Sequence, residues 1–149
     1  MANAFFIRVG KFFNDNEINS EGVPKYRLYL MRILFVLTFL FLGRDAWTEL
    51  ITHEGVWNPL NGVAFSFWAA YSTLMILGLR RPLNMVPLLL LQFLYKLVWL
   101  VSVAFPLWRG NHFEDAKGLA TIFIIGIVLD LVVIPWVYVY KNYFSTSSS

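Results

Sequence analysis

A lysine in the middle of a leucine-rich run is the strongest constraint this chain carries. From Pro87 to Val101 the residues are almost all apolar, yet Lys96 stands among them. The run begins at Leu83, 13 residues before Lys96, and gives way near Trp108, 12 residues after it. At 1.5 Å rise per residue both distances are about 18–20 Å, farther than a four-carbon stem reaches by snorkelling. A lysine at a bilayer centre costs roughly 2.5–3.5 kcal/mol on insertion scales. The eight leucines between Leu83 and Leu100, at about 0.3–0.6 kcal/mol each, offset that cost. The segment therefore inserts, and Lys96 requires a counter-charge, a cavity or the loss of its proton.

The rest of the chain repeats the apolar theme. Of 149 residues, 58% are hydrophobic and only 14% charged, against about 25% charged in soluble domains. The length suits one domain. Most of the apolar content falls in four runs, which predict spans over about 28–46, 63–79, 83–105 and 119–140. Lengths near 20 residues match a hydrocarbon core of about 30 Å, and lipid tolerates no unpaired backbone, so all four are expected to be helices. The expected class is an all-α polytopic membrane protein, an up-down bundle of four transmembrane helices across residues 28–140. There is no cysteine, which excludes disulfides, thiolate catalysis and cysteine-ligated metals. The net charge of +3 sets topology in such a chain and does not indicate a nucleic-acid partner.

Lys and Arg divide unevenly between the two sides. Arg8, Lys11, Lys25, Arg27, Arg32, Arg80, Arg81 and Lys141 fall on the side of the termini; Arg44, Arg109 and Lys117 fall on the other. By the positive-inside rule this places both termini in the cytoplasm. Residues 1–27 lack a basic region before their first apolar residues and are not read as a secretory signal. Phe5, Phe6, Val9, Phe12 and Phe13 share one helical face, with Arg8 and Lys11 opposite. That pattern fits a helix lying on the membrane surface or a cap docked on the bundle. Arg32 is near enough to its span's end to serve as an anchor. The tail, 141–149, is polar.

Asp130 lies in the fourth run, 10 residues from Tyr140, at a depth within about 4–5 Å of that of Lys96. Consecutive antiparallel helices bring the two together, and a Lys–Asp contact is the simplest way for a bundle to carry both charges. Gln92 falls one turn below Lys96, and Trp99 about one turn above. Tyr71, Ser72 and Thr73 on the second run can supply hydroxyls to the same layer. Gly126, one turn from Asp130, leaves room for a helix or a ligand. Pro135 is expected to kink the fourth helix and loosen the carbonyl of Leu131. Two readings fit: an ion pair that fixes helix register, or a site that binds a polar headgroup or relays protons.

The two outer connections hold both histidines and five carboxylates, among them Arg44-Asp45, Glu49, His53, His112 and Glu114. Arg44 and Asp45 read as an interfacial charge pair. Glu49 and His53 are spaced i, i+4, and with His112 and Glu114 they form the one set that could hold zinc or iron through N and O ligands; two histidines also suit haem. The sequence is nevertheless read as carrying no metal site, since Glu/His at i, i+4 is common by chance. Neither loop has the inward Glu-x-x-His pair of di-iron bundles. Trp47, Trp57 and Trp108 then read as an interfacial aromatic belt.

The run Leu30-Met31-Arg32-Ile33-Leu34-Phe35-Val36-Leu37-Thr38-Phe39-Leu40-Phe41-Leu42-Gly43-Arg44 resembles the first helix of DoxX-like proteins, in which an arginine opens the span and a glycine closes it. Leu74-Met75-Ile76-Leu77-Gly78-Leu79-Arg80-Arg81-Pro82 is similar to the end of that family's second helix. The resemblance extends over about Tyr29 to Trp99. It implies a four-helix membrane bundle, in some members a component of quinone-linked oxidation and in most without a known activity. The lack of cysteine departs from such redox chemistry, and neither Lys96 nor Asp130 maps onto a family motif.

The leading expectation is a small membrane protein whose midplane polar pocket binds an amphipathic or quinone-like molecule. Lys96 and Asp130 would contact its polar end, with Gln92, Tyr71, Trp99, Ser72 and Thr73 around it. A quinone or a lipid is the candidate ligand, the bilayer is the certain partner, and the reaction, if any, is not named by the residues. The alternatives are an accessory subunit of a larger membrane complex, whose polar layer sets packing, and a proton or small-solute pathway formed by a homo-oligomer.

Overall fold

The computed structural model describes residues 19–145. The surface helix expected before residue 19 and the end of the polar tail lie outside them. All regular structure among the described residues is helical. Four stretches are long and apolar enough to cross a membrane: Lys25–Thr52, Pro59–Leu79, Leu83–Arg109 and Glu114–Val133. The chain forms two compact units, one of residues up to Met85 together with those from Pro135, the other Val86–Ile134.

In the first unit, α1 (Lys25–Thr52) packs against α2 (Pro59–Leu74), which tightens into a 3-10 stretch over Met75–Leu79. Helix α2 starts at Asn58, whose side-chain oxygen accepts from the N–H groups of Leu60 at 3.0 Å and Asn61 at 3.4 Å. Pro59 follows at the first helical position, where its missing N–H costs nothing. Near the other end the Ser72 and Thr73 hydroxyls donate back to the Ala69 carbonyl, at 3.0 and 2.7 Å. Such bonds compete with the α-helical ladder, which gives way one residue further on. The pair is antiparallel and closely approached. A Cβ on Gly43 would stand 3.2 Å from Ser72 Oγ, and one on Gly78 would strike the Phe35 ring. Arg32 Nε donates to the Leu79 carbonyl at 3.1 Å and so caps the end of the second span. The helices run beyond the expected spans of 28–46 and 63–79. Helical structure continues into the polar flanks as far as His53, whose backbone turns extended.

In the second unit, α3 (Val86–Trp99) runs into a π-helical stretch, Leu100–Ala104, and then α4 (Phe105–Arg109). The helix passes the expected limit at residue 105 and runs through Pro106. The proline sits in the first turn of α4, directly after the wide turn in which Phe105 N–H bonds to Leu100, so its missing donor breaks no regular bond. Asn111, at φ 56°, turns the chain toward α5 (Glu114–Val133), whose first turn carries Glu114 and Asp115 at the favourable end of the helix dipole.

Helix α5 ends sooner than expected, and by a break rather than a kink. Ile134 is extended at ψ 126°, and Pro135 follows at φ −78°, ψ 79°. A proline drives the residue before it out of the helical region, and Ile134 is that residue. The chain resumes as α6 (Trp136–Val139) with a π-helical turn, Tyr140–Phe144. The buried stripe of α3 is Val86, Leu89, Gln92 and Lys96; that of α5 is Ala116, Ala120, Phe123, Asp130 and Val133. Steps of three and four mark one face of each helix. Lys96 and Asp130 thus belong to the packed faces of the pair.

Candidate functional site

Gln92 and Lys96, one turn apart on α3, converge on a single carboxylate of α5. Gln92 Nε2 donates to Asp130 Oδ1 at 2.7 Å, and Lys96 Nζ donates to Asp130 Oδ2 at 3.1 Å. Asp130 is fully buried, and Gln92 and Lys96 are 2% and 8% exposed. Opposite charges in contact, with each carboxylate oxygen accepting a hydrogen bond, are the condition under which burying them is tolerable.

Gly126 makes the contact sterically feasible. A Cβ at this position would lie 2.5 Å from Lys96 Nζ and 3.1 Å from its Cε. The room expected there for a ligand or another helix is taken by the lysine itself. An ammonium carries three N–H donors, and Asp130 is its single hydrogen-bond acceptor among the described residues.

Lys96 is 13 residues from each end of Leu83–Arg109, so its central position holds. The setting of Asp130 changes. It lies three residues from Val133, in the last turn of α5, and its own carbonyl accepts from Ile134 N–H at 2.9 Å. The depth reckoned from Tyr140 assumed a continuous helix, which the break at Ile134 and Pro135 interrupts.

Tyr95 and Trp99 make T-shaped contacts with the Phe123 ring at centroid distances of 5.6 and 5.1 Å. Phe123 was missed by sequence reasoning, although it precedes Asp130 by two helical turns on the same stripe. The outward side of α3 carries an open groove of about 510 Å³, lined by Leu91, Leu94, Tyr95, Val98, Trp99 and Ser102. Tyr95 and Trp99 therefore border both this groove and the Phe123 contact.

The other expected residues belong to the first unit or to the outer ends. Tyr71 is buried and stacks on Phe67 at 5.9 Å. Ser72 is buried with its hydroxyl on Ala69, and Thr73 donates to Ala69 while accepting from Trp47 Nε1 at 3.1 Å. Glu49 Oε1 and His53 Nδ1 are 3.0 Å apart, and the His53 ring stacks on Trp57 at 3.6 Å. Arg44 and Asp45 are both exposed and no ion pair joins them; adjacent residues on a helix diverge, so the expected pair does not form. His112 is exposed, and Glu114 is 3.9 Å from Lys117. Among the described residues no three His, Asp or Glu side chains gather as metal ligands.

No protein-family model, curated protein or solved structure matches this chain. The site is read from its own chemistry.

Proposed function

We propose that the chain is an integral protein of a bacterial inner membrane, a DoxX-like four-span protein of up-and-down topology with cytoplasmic termini. In this reading Lys96 and Asp130 receive the polar end of an amphipathic or quinone-like molecule. The excess of Lys and Arg on one side supports the orientation. The observation that carries the binding reading is the buried Lys96 ammonium, with one acceptor for three donors. A quinone carbonyl or a headgroup ester oxygen is a neutral acceptor that takes such a donor without disturbing its ion pair. Gln92 is the exchangeable partner, because its amide leaves the carboxylate without separating charges. The groove bordered by Tyr95 and Trp99 offers aromatic faces to a flat ring arriving from lipid. A helix broken beside a buried charge is tolerated where backbone lines an internal site.

The test is the double variant Lys96→Met/Asp130→Asn, purified in mild detergent, with the bound small molecules extracted and identified by mass spectrometry. The expected result is a folded protein that has lost a quinone or amphipathic molecule present in the parent. Retention of the same molecule at the same level overturns the reading.

A second reading, an accessory subunit whose polar layer sets helix packing, is favoured by the fit of Lys96 over Gly126. It predicts that the same double variant alters assembly or expression and leaves the extracted molecules unchanged.

A further inference from the structure

The geometry points to a second site, for an anionic phospholipid, two turns into α1 where Arg32 caps the second span. The inference does not rest on the Lys96–Asp130 reading. Arg32 spends its Nε on the Leu79 carbonyl and lies 5.4 Å from the Tyr29 ring centroid. A guanidinium has five N–H donors in a rigid fork. Once Nε is fixed on Leu79, the two terminal nitrogens remain for a planar, bidentate acceptor such as a phosphate. The carbonyl that Arg32 holds is covalently joined to the nitrogen of Arg80, so the backbone leading into Arg80 and Arg81 passes beside the guanidinium, and both residues are exposed. Among the described residues none of these three arginines pairs with a carboxylate.

The hydrophobic half of the site is a shallow groove of about 230 Å³ lined by Arg32, Ile33, Val36 and Leu37. These positions share one face of α1 and lead from the charged end into the span. Ile33 and Leu37 are exposed there. A cationic head leading into an apolar track matches a phosphate ester with an acyl chain attached. The unpaired positive charge selects an anionic headgroup over a zwitterionic one, whose own cation would meet three arginines.

Native mass spectrometry of the full chain, with phosphatidylglycerol and phosphatidylcholine of matched acyl chains, tests this. Phosphatidylglycerol should be retained several-fold more than phosphatidylcholine. Arg80→Gln/Arg81→Gln should lower that preference by about fivefold per charge removed, at roughly 1 kcal/mol each. Arg32→Gln should abolish it. Because Arg32→Gln also uncaps Leu79, Val36→Trp fills the groove without touching any charge and should lose the lipid as well. Glycerol phosphate, which has no acyl chain, should not displace it, and Lys96→Met/Asp130→Asn should leave it bound. Equal retention of the two lipids by the parent, or full retention by both Val36→Trp and Arg80→Gln/Arg81→Gln, overturns the site.

Discussion

Lys96 Nζ occupies the space in which a side chain on Gly126 would begin, with a Cβ built there only 2.5 Å from the nitrogen. The glycine is thus required by contact rather than by backbone conformation. It lets α5 present a bare stretch of backbone one turn before Asp130, and the ammonium lies over that stretch to reach the carboxylate. Gln92 holds the other oxygen, so three residues and one absent side chain make a single seat.

Gly126→Ala should push the ammonium off its seat and destabilise the protein by about 1–3 kcal/mol, the usual range for overpacking. The change should shrink toward zero in a Lys96→Ala background, which removes the atoms that the new methyl meets. Denaturant titration of all four proteins of the cycle measures the coupling. Additive losses would mean that Lys96 leaves Gly126 without strain.

Neutralising one partner at a time should be worse than neutralising both. Lys96→Met leaves a buried carboxylate with only an amide for company, and Asp130→Asn leaves a buried ammonium. Losses of about 3–5 kcal/mol are typical when one partner of a buried pair is removed, whereas replacing both is often neutral. Thermal or denaturant unfolding of the two single variants and the double variant checks the order. A double variant less stable than either single one contradicts it.

Gly78→Ala should drive a methyl into the Phe35 ring, which is fully buried and cannot swing away. A loss of about 1–3 kcal/mol is expected, with partial recovery in Phe35→Leu, whose smaller side chain clears the space. Unfolding midpoints of the single and double variants give the answer.

Asn58→Ala should cost about 1 kcal/mol by removing the acceptor for the first N–H groups of α2. Asn58→Asp keeps that acceptor and should recover most of the loss. Stability measurements on the two variants separate capping from general disturbance of the connection.

The polar pair was legible in the sequence because two charges in apolar runs must find each other, and their spacing from the run ends gave comparable depths. Gln92 followed from helical periodicity alone. The limits of the elements were less legible, for identifiable reasons. Hydropathy sees where a helix leaves lipid and not where it stops being a helix, so α1 reaches Thr52 through Asp45 and Glu49. Pro106 and Pro135 looked alike in sequence and behave differently. The first is received by a π-helical turn, while the second forces Ile134 out of the helix. The occupant of the Gly126 space was not legible either. A glycine announces room, and only side-chain packing says that Lys96 fills it. Arg32 was readable as an anchor by depth, but its bond to Leu79, 47 residues away, depends on how α1 and α2 register.

The pairing of Gln92 and Lys96 with a residue on the next helix has a consequence for biogenesis. Lys96 and Asp130 are 34 residues apart in the chain, so synthesis delivers the ammonium well before its counter-ion. A translocon that released the third span alone would place a bare positive charge in lipid, and the fourth span alone a bare negative one. In the proposed membrane topology, release of the two together as a helical hairpin would bring them into the bilayer with the charges already cancelled. The salt bridge thereby favours inserting these two helices as one unit.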